Sequence, residues 1–361
     1  MTNRIWTVLL TDAFGVSGGI PAFNRELLGA MEILARERGW TLRILVLNDT
    51  VNQQLPSKTY SSRGFSGKYW RFIWESLRAA RGADDVLFGH VHLTPLAFFM
   101  RSKRRWLVAH GIEVWNPLSC LRRLGLGSID KILCVSRYTR DRLVEQHQIN
   151  VDRTLLFPNT AHFSSEKKSA SIELNKTGVS RVIFTLSRLW PEERYKKIDR
   201  VIEAMPSVLK AVPNALYMIA GQGADRSRLE RIAVELGVAN RVIFTGTLRD
   251  EEVQSYYEAC EIFILPSLGE GFGIVFLEAM ACAKPCIGAD AGAVPEVIQD
   301  GRTGLVVRPD DSQAISRALI RLLQDEPLRR SMGQAGRDRF NAEFSVDRFR
   351  ERLAELTKVP S

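Results

Sequence analysis

Cysteine is scarce in this sequence, and its placement excludes two common kinds of site. The five cysteines are an odd number and lie mostly in apolar segments, which indicates buried thiols in a reducing compartment rather than a disulfide framework. Cys282 and Cys286 have no second Cys or His pair to complete a tetrahedral zinc site. We therefore expect neither disulfides nor structural zinc.

Long apolar runs are also absent. No segment approaches the ~18 consecutive apolar residues of a membrane span, and Ile5–Leu10 is too short for the apolar region of a signal peptide. The 361 residues, 45% of them hydrophobic, are enough for two domains of ordinary size, each with its own core. The sequence thus predicts a cytoplasmic protein of two domains.

Acidic residues are too few in the first half of the chain to balance the basic ones. Residues 1–165 contain 22 Lys and Arg against 13 Asp and Glu, whereas residues 166–361 contain 28 of each. The excess is accompanied by aromatic residues in Lys68–Trp74 and Phe98–Arg105. Two interpretations stay open, a surface that docks on anionic lipid and a solvated basic face over ordinary core aromatics. Nucleic acid is not expected as a partner, because no nucleic-acid-binding motif accompanies the charge.

Short apolar segments alternate with helical ones along the chain, which is typical of parallel sheets covered by helices. A first set of predicted strands comprises Trp6–Leu10, Leu42–Leu47, Val86–Val91, Trp106–Ala109 and Ile132–Val135. A second set comprises Val182–Leu186, Ala215–Ala220, Val242–Thr245, Ile262–Leu265, Pro285–Gly288 and Leu305–Val307. Residues 163–179, rich in Ser and Lys, read as a linker. The predicted domains are therefore residues 1–162 and 180–340, and residues 341–361 form a C-terminal segment.

A glycine-rich turn with two carboxylates is the most informative motif. It follows the predicted strand Ile262–Leu265 and leads into a helical run. The backbone N–H groups of such a turn and the positive end of the helix attract an anion, and Gly271 and Gly273 let the backbone approach it closely. Glu270 lies at the mouth of the turn, and Glu278, two turns into the helix, can accept hydrogen bonds from hydroxyls beside the anion. A phosphate flanked by hydroxyls indicates a sugar nucleotide.

The spacing Glu270-x7-Glu278 and several other segments occur together in the order typical of one enzyme family. These segments are Ser187–Leu189, Tyr195–Lys196, Ala220–Gly223, Phe244–Gly246 and Ala291–Glu296. On these residues the chain resembles the family 4 glycosyltransferases over almost its whole length. The resemblance implies a retaining enzyme of the GT-B fold, an α/β protein with two Rossmann-like parallel-sheet domains facing a central cleft. Residues 341–361 would form a helix that crosses back to the first domain.

The resemblance implies that the second domain holds the diphosphate of a nucleotide-sugar donor with two cations. Arg188 and Lys196 would stabilise the charge that the diphosphate gains as the glycosidic bond breaks. Lys197, Ala283 and Ala293 stand where the family usually has Gly. Either Lys196 or Lys197 could therefore reach the phosphate, and we prefer Lys196. Because cations would replace a metal and no Asp-x-Asp is present, we expect no cofactor and no divalent metal.

The remaining donor contacts are also implied by the resemblance. Glu270 would hold hydroxyls of the transferred sugar, and Glu278 would hold those of the ribose. The implied nucleotide-sugar site further includes Gly221, Thr245, Gly246, Leu248, Gly271, Phe272 and Gly273. The segment Gly221-Gln222-Gly223 alone would suggest a dinucleotide site, but Arg226 occupies the place of the third glycine, which argues against an oxidoreductase.

The first domain would meet the donor from the opposite side and bind the acceptor. Gly18 and Gly19 resemble the family's N-terminal glycine loop, and a plain tight turn is the alternative. By resemblance His110 touches the transferred sugar, where an imidazole can hydrogen-bond a hydroxyl, and a histidine satisfied in the core is the alternative. Glu113 and Trp115 would then border the acceptor pocket.

Together these features predict a glycosyltransferase whose catalytic residues are His110, Arg188, Lys196 and Glu270. The expected reaction moves a hexose, preferably mannose from GDP-mannose because residues 110–115 resemble relatives of that specificity, or else a sugar from a UDP donor. The acceptor would be a glycan or a polyprenyl-diphosphate-linked oligosaccharide in cell-surface polysaccharide biosynthesis. If the basic segments bind lipid, the enzyme works on the inner face of the cytoplasmic membrane. The alternatives are a GT-B-like sugar-nucleotide epimerase and a non-catalytic sugar-nucleotide-binding relative.

Overall fold

The chain forms two compact units. The structure is a computed structural model that describes residues 4–16, 18–50, 61–163 and 181–358. Met1–Thr160 with Val346–Ser361 make up the first, called unit 1 below, and Ala161–Ser345 make up unit 2. The predicted linker at residues 163–179 lies outside the described residues, except for Phe163.

Unit 1 is built on a sheet of seven strands, counted in the described residues. They are β1 (Ile5–Leu10), β2 (Thr41–Val46), β3 (Ser61–Gly64), β4 (Asp85–Phe88), β5 (Arg104–Ala109), β6 (Lys131–Cys134) and β7 (Thr154–Leu156). They pair in parallel in the order β3-β2-β1-β4-β5-β6-β7. Almost every residue of the central strands β1 and β4 is buried, as expected for a parallel sheet covered on both faces.

The helices of unit 1 connect these strands. They are α1 (Gly19–Arg38), α2 (Tyr69–Ala79), α3 (Ile112–Trp115), α4 (Cys120–Gly127) and α5 (Arg137–His147), with 3-10 helices at Val91–Phe99 and Val151–Arg153. α1 ends where Gly39 adopts a left-handed φ of 69°, the usual conformation just past a helix. Across the described ranges of the chain, no helix is both long and apolar enough to cross a membrane.

Unit 2 repeats the architecture with a six-stranded sheet within its described part. The strands are β8 (Arg181–Leu186), β9 (Ala215–Ala220), β10 (Val242–Gly246), β11 (Ile262–Leu265), β12 (Cys286–Ala289) and β13 (Gly304–Val307). They are parallel in the order β10-β9-β8-β11-β12-β13. The helices are α6 (Ile198–Ala211), α7 (Arg226–Glu235), α8 (Asp250–Ala259), α9 (Ile274–Ala281), α10 (Val294–Val297), α11 (Ser312–Gln324) and α12 (Glu326–Arg339). A 3-10 helix at Pro191–Lys196 precedes α6.

The last helix, α13 (Val346–Leu356), belongs to unit 1. The ring of Phe349 packs against Phe23 of α1 and against Phe157, with centroid distances of 5.7 and 4.4 Å. The Arg38 guanidinium donates to the Ala354 carbonyl at 2.9 Å. The C-terminal segment is therefore held to unit 1 by both apolar packing and hydrogen bonds.

All strands predicted from the sequence are present, so the prediction of two parallel α/β sheets is confirmed. The predicted segment Val86–Val91 is too long, because the strand ends at Phe88 and a 3-10 helix begins at Val91. Two strands, β3 and β7, were not predicted. They lie at the two edges of the first sheet, and β3 contains no apolar residue while β7 has only three residues. An edge strand is recognised by backbone pairing rather than by burial, so its sequence signal is weak.

Replacing Ala283 by glycine should stabilise unit 2 by about 0.5–1 kcal/mol and raise its melting temperature by about 1–4 °C. Ala283 has a φ of +54°, and the left-handed region is unfavourable for a residue with a Cβ. Glycine relieves this strain, although it also increases the entropy of the unfolded chain. Thermal unfolding followed by circular dichroism measures the change.

Ala293 provides the matched control, because it is also an alanine next to a turn of unit 2 but has a φ of −89° and a fully buried side chain. Ala293→Gly should destabilise by about 1 kcal/mol. If both substitutions destabilise the protein, glycine does not relieve backbone strain at position 283.

Candidate active site

The candidate site in unit 2 lies where the strand order reverses. β8 and β11 are neighbours, but β9 and β10 extend the sheet to one side and β12 and β13 to the other. Loops that leave the carboxyl ends of two such strands diverge, which leaves room for a ligand. Arg188 follows β8 closely, and the turn containing Glu270 follows β11. The motifs predicted from the sequence therefore meet at one edge of the sheet.

Glycines after β9 allow the loops at this edge to touch. The Leu189 N–H donates to the Gln222 carbonyl at 2.9 Å, and the Gly221 N–H donates to the Gly246 carbonyl at 2.8 Å. Gly221 has a φ of +127°, and a Cβ at this position would lie 1.8 Å from the Ser187 carbonyl oxygen. Only glycine lets the loops after β8 and β9 approach this closely.

The residues expected to contact the nucleotide base lie at the end of β10. The Thr245 hydroxyl donates to the Gly246 carbonyl at 3.3 Å, and the Leu248 side chain is buried. Gly246 has a left-handed φ of +77°. Since Thr245 and Leu248 direct their side chains into contacts within the unit, base recognition here would depend on backbone groups.

The two predicted phosphate-binding cations converge on one carboxylate. Glu193, on the 3-10 helix Pro191–Lys196, forms ion pairs with Arg188 through Oε1 and with Lys196 through Oε2, the latter at 3.3 Å. The Lys196 side chain is 14% exposed and that of Arg188 is 63% exposed. Because one carboxylate bridges both cations, Arg188 and Lys196 are neighbours, and two neighbouring cations can share a diphosphate.

Lys197 faces another partner. It occupies the place of the family's glycine with a left-handed φ of +56°, which explains why glycine suits this position. Its Nζ lies 2.6 Å from Oδ1 of Asp310, whereas Lys196 shares Glu193 with Arg188. This geometry favours Lys196 as the phosphate ligand.

Glu270 is brought to the same cluster by backbone hydrogen bonds. The Leu268 N–H donates to the Tyr195 carbonyl at 2.9 Å, and the Ala293 N–H donates to the Glu270 carbonyl at 3.0 Å. Burial raises the pKa of Glu270, and the charge of Lys196 opposes this increase. Glu270 therefore lies within electrostatic reach of the cation expected to bind phosphate.

The turn before α9 has the predicted helix-start geometry. Gly273 has a φ of +94°, and a Cβ there would lie 2.6 Å from the ring of Phe276. Phe272 is buried with its ring against Phe344, so a contact with a ligand would come from its backbone. Gly271 precedes these residues in the same turn. The backbone of residues 271–273 is thus held at the amino end of an eight-residue helix.

Glu278 is the fifth residue of α9, so the sequence-based placement two turns into the helix is wrong, and the carboxylate is one turn from the helix start. The Glu278 carboxylate therefore lies closer than predicted to an anion bound at the start of α9. Its Oε2 accepts a hydrogen bond of 2.7 Å from the hydroxyl of Tyr257, a fully buried side chain on α8. Burial raises the pKa of Glu278 to about 7, and the bond from Tyr257 partly offsets this increase.

In unit 1, His110 follows β5 and is held in one tautomer. Its Nε2 lies 2.8 Å from the Gly89 carbonyl oxygen, which can only accept, so Nε2 carries the proton. Burial lowers the pKa of His110 to about 4, and the ring packs edge-on against Phe23 at 4.9 Å. His110 is therefore neutral at physiological pH, with Nδ1 as a hydrogen-bond acceptor.

Glu113 and Trp115, the candidates for the acceptor side, have contacts within unit 1. Oε1 of Glu113 accepts hydrogen bonds from the backbone N–H groups of His110 at 2.6 Å and Gly111 at 3.1 Å. These bonds fix the segment that carries His110 just before α3. The Trp115 ring packs edge-on against Tyr138 at 5.1 Å.

Gly18 and Gly19 begin α1, Gly18 with a φ of 148° just before the helix and Gly19 as its first residue. The loop that precedes them is organised by Asp49, which follows β2. Its carboxylate accepts hydrogen bonds from the N–H groups of Phe14 at 2.9 Å and Gly15 at 3.1 Å. The loop before Gly18 is therefore held by hydrogen bonds to a residue more than 30 positions away in the sequence. The roles of these unit 1 residues remain predictions.

Comparison with known proteins shows which family the chain belongs to. Residues 166–339 match the family model of the glycosyl transferases group 1. The chain is 34% identical, over 91% of its length and 92% of the relative's, to the GDP-mannose-dependent alpha-(1-6)-phosphatidylinositol monomannoside mannosyltransferase of Mycolicibacterium smegmatis. It belongs to the glycosyl transferases group 1. This family 4 glycosyltransferase is therefore an enzyme that transfers a hexose from a nucleotide sugar, as the sequence predicts.

Solved structures place this glycosyltransferase in the predicted GT-B fold. Sucrose-phosphate synthase from Thermosynechococcus elongatus has a TM-score of 0.80 at 20% identity and covers 99% of this chain and 98% of its own. Anabaena HepE in complex with UDP and glucose has a TM-score of 0.78 at 19% identity, with 98% and 100% covered. At these identities the similarity establishes the fold.

Sequence reasoning missed three residues that organise this glycosyltransferase, namely Glu193, Tyr257 and Asp49. Glu193 had a detectable signal for one of its two partners, because it is a carboxylate three residues before Lys196, within reach of it in a helical turn. Tyr257 and Asp49 had no local signal, since each bonds to residues more than 20 positions away.

Replacing Glu278 by glutamine should stabilise the glycosyltransferase at about pH 8 and much less at about pH 5. Between its usual pKa of 4.5 and about 7, folded Glu278 holds a proton that the unfolded chain releases, so its contribution to stability falls as pH rises through this range. Glutamine does not titrate and keeps an oxygen for Tyr257. The difference in the free energy of unfolding between Glu278→Gln and wild type should grow by on the order of 2 kcal/mol in favour of the variant as pH rises through this range. Chemical unfolding measures it. A stability difference that does not change with pH would contradict this assignment.

Proposed function

We propose that this enzyme is a retaining hexosyltransferase that moves mannose from GDP-mannose onto a lipid-linked acceptor in cell-surface glycan assembly. The observation that carries the proposal is the cluster of Arg188, Lys196 and Glu270 at the switch point of unit 2. The preference for GDP-mannose is supported by the name of the Mycolicibacterium relative, which is GDP-mannose-dependent.

In this proposal the donor is bound by groups of unit 2. The diphosphate lies on Arg188, Lys196 and the helix start at Gly273, where it replaces Glu193 as the anion shared by the two cations. Glu278 accepts hydrogen bonds from the ribose hydroxyls, and Glu270 accepts them from the sugar.

The reaction then needs charge stabilisation more than acid chemistry. The bond between the anomeric carbon and the diphosphate oxygen breaks, and the acceptor hydroxyl forms the new bond on the same face. The acceptor proton passes to an oxygen of the leaving phosphate. Arg188 and Lys196 stabilise the negative charge that develops on that phosphate. We infer that the reaction needs no divalent metal, because two side-chain cations take that role.

A panel of GDP, UDP and ADP with their sugars tests the donor site by thermal stabilisation. A ligand at 100 times its dissociation constant adds about 2.7 kcal/mol, a shift that is easily measured. GDP and GDP-mannose should give the largest shifts, and turnover should persist in EDTA. Stabilisation by UDP-sugars alone would refute the donor assignment, and none by any nucleotide would refute the transferase site.

We further propose that unit 1 binds an anionic membrane through a basic aromatic surface formed by α2, the 3-10 helix Val91–Phe99 and α4. Trp70 and Trp74 of α2 are 84% and 69% exposed, although large aromatic side chains are usually buried. α2 and α4 both contact the 3-10 helix. The exposed residues of these segments include Phe98, Phe99, Leu121 and Leu124, and with them Lys68, Arg71, Arg101 and Arg123. α4 packs directly on the 3-10 helix, where the Thr94 hydroxyl donates to the Arg122 carbonyl at 3.2 Å. Aromatic side chains flanked by cations suit the interface of anionic lipid.

Sedimentation with vesicles tests this surface. Wild type should bind phosphatidylcholine vesicles that contain phosphatidylglycerol and should bind pure phosphatidylcholine weakly. The double variant Trp70→Ala with Trp74→Ala should lose binding but keep donor stabilisation, whereas Val234→Ala, an exposed apolar residue of unit 2, should change neither. Equal binding by wild type and the double variant would eliminate the role of α2.

A further inference from the structure

Tyr257 lies outside every motif that identified the donor site, yet it bonds to one of its carboxylates. Its hydroxyl is 2.7 Å from Oε2 of Glu278, and its side chain is completely buried. We propose that Tyr257 is a positioning residue for nucleotide binding, which fixes one carboxylate oxygen of Glu278 so that the other is presented to the ribose hydroxyls. This rests on the proposed function, which assigns Glu278 to the ribose.

The surroundings of Tyr257 make it a rigid support. Its ring packs against Phe184 at 5.2 Å and Phe263 at 5.3 Å, on the neighbouring strands β8 and β11, and lies 6.1 Å from Phe163. A tyrosine has only two side-chain torsions, and here both are constrained by packing in the core. Its hydroxyl is therefore held in one position, and the hydrogen bond restricts the orientation of the Glu278 carboxylate.

The direction of the hydrogen bond supports a role in binding rather than in packing alone. An ionised carboxylate only accepts hydrogen bonds and has about four acceptor positions, of which the phenol occupies one. The oxygen not bonded to Tyr257 can accept from a pair of adjacent hydroxyls. A carboxyl that is free to rotate would lose this orientation.

Tyr257 also keeps Glu278 in the form that accepts. Burial raises the pKa of Glu278, the Tyr257 hydroxyl lowers it, and the charge of Asp250 on α8 raises it. Cys282, the residue after α9, is also in electrostatic contact with Glu278. Loss of the hydroxyl would therefore leave more Glu278 protonated near neutral pH.

The test compares Tyr257→Phe with wild type by calorimetric titration of GDP and UDP and of their 2′,3′-dideoxy forms. The variant should bind the better ribonucleotide about tenfold more weakly, because a hydrogen bond to a charged group is lost from the arrangement that holds the ribose. Its affinity for the dideoxy form should change less than about twofold. The weakening of ribonucleotide binding at low pH should also begin at a higher pH in the variant.

Tyr256→Phe is the matched control, because Tyr256 is the preceding residue of α8 and packs on Phe184 at 5.9 Å. It should leave all four affinities unchanged. Melting temperatures of both variants check that the fold is kept. If Tyr257→Phe does not fold, the double variant Tyr257→Phe with Glu278→Ala, which removes the buried charge, is compared with Glu278→Ala alone. No further loss of ribonucleotide affinity is expected there, because no carboxylate is left for Tyr257 to position.

The outcomes separate this inference from the function on which it rests. If wild type binds neither GDP nor UDP, the proposed function fails. If wild type binds a ribonucleotide better than its dideoxy form but Tyr257→Phe weakens both equally or neither, the positioning role of Tyr257 is overturned and the proposed function stands.

Discussion

Lys196→Ala is expected to lower kcat by about 10²–10³-fold, since removing one preorganised group that stabilises developing charge has an effect of this size. Lys196 is largely buried beside Arg188, and the two share Glu193. Its ammonium is therefore fixed in place before the donor binds, and little reorganisation is needed as the phosphate gains charge. Initial rates at saturating donor and acceptor measure the loss. Most of the lost activity should appear as a lower kcat rather than as a higher KM, because the charge develops in the transition state.

Lys197→Ala is the control for this experiment. The two lysines are adjacent and have the same charge, but Lys197 pairs with Asp310 at 2.6 Å. Its removal should change kcat by less than about threefold, as expected for a partly exposed ion pair. If Lys197→Ala were the more damaging substitution, the assignment of the phosphate ligand would have to be exchanged.

Gly221→Ala is expected to destabilise unit 2 by at least about 3 kcal/mol and to lower its melting temperature by about 6–12 °C. The added Cβ would lie 1.8 Å from the Ser187 carbonyl oxygen, which is backbone and cannot rotate away. The loop after β8 would have to move, and Arg188 would move with it. Thermal unfolding and donor binding should both report the change.

Gly237→Ala separates the effect of contact from that of backbone conformation. Gly237 also has a left-handed φ, of +69°, but a Cβ there would meet nothing within 4 Å. This variant should lose only about 1 kcal/mol, the cost of the left-handed conformation itself. Equal losses in the two variants would show that conformation, rather than the approach of the Ser187 carbonyl, demands glycine at position 221.

Much of the fold could be predicted because its strands are buried on both faces. Segments such as Ala215–Ala220 and Ile262–Leu265 are continuous apolar runs, and the structure reproduces both without a change of boundaries. β3 could not be predicted, because it is polar and is defined by parallel pairing with β2. Pairing depends on a partner distant in sequence, so it leaves little trace in the strand itself.

The candidate site, like the fold, could be predicted from the sequence only in part. The turn from Glu270 to Gly273 and the cations Arg188 and Lys196 belong to contiguous motifs, and each could be named from its own segment. The choice between Lys196 and Lys197 depended on Glu193 and on Asp310, which lies more than 110 residues further along the chain. Local sequence gives the residue types but not their partners.

The two parallel sheets and the segments that follow their strands could be read from the chain, because apolar periodicity is a local property. The family resemblance could be read in the same way, because it rests on contiguous motifs. The pairing of Lys197 with Asp310, the bond from Tyr257 to Glu278 and the contacts of Asp49 with the loop before Gly18 became visible only in the tertiary structure. These contacts join residues from separate segments of the chain, so their distances are fixed by how the fold brings those segments together. Hydrogen bonds and ion pairs depend steeply on such distances, which is why the chemistry of the site is settled by the packing.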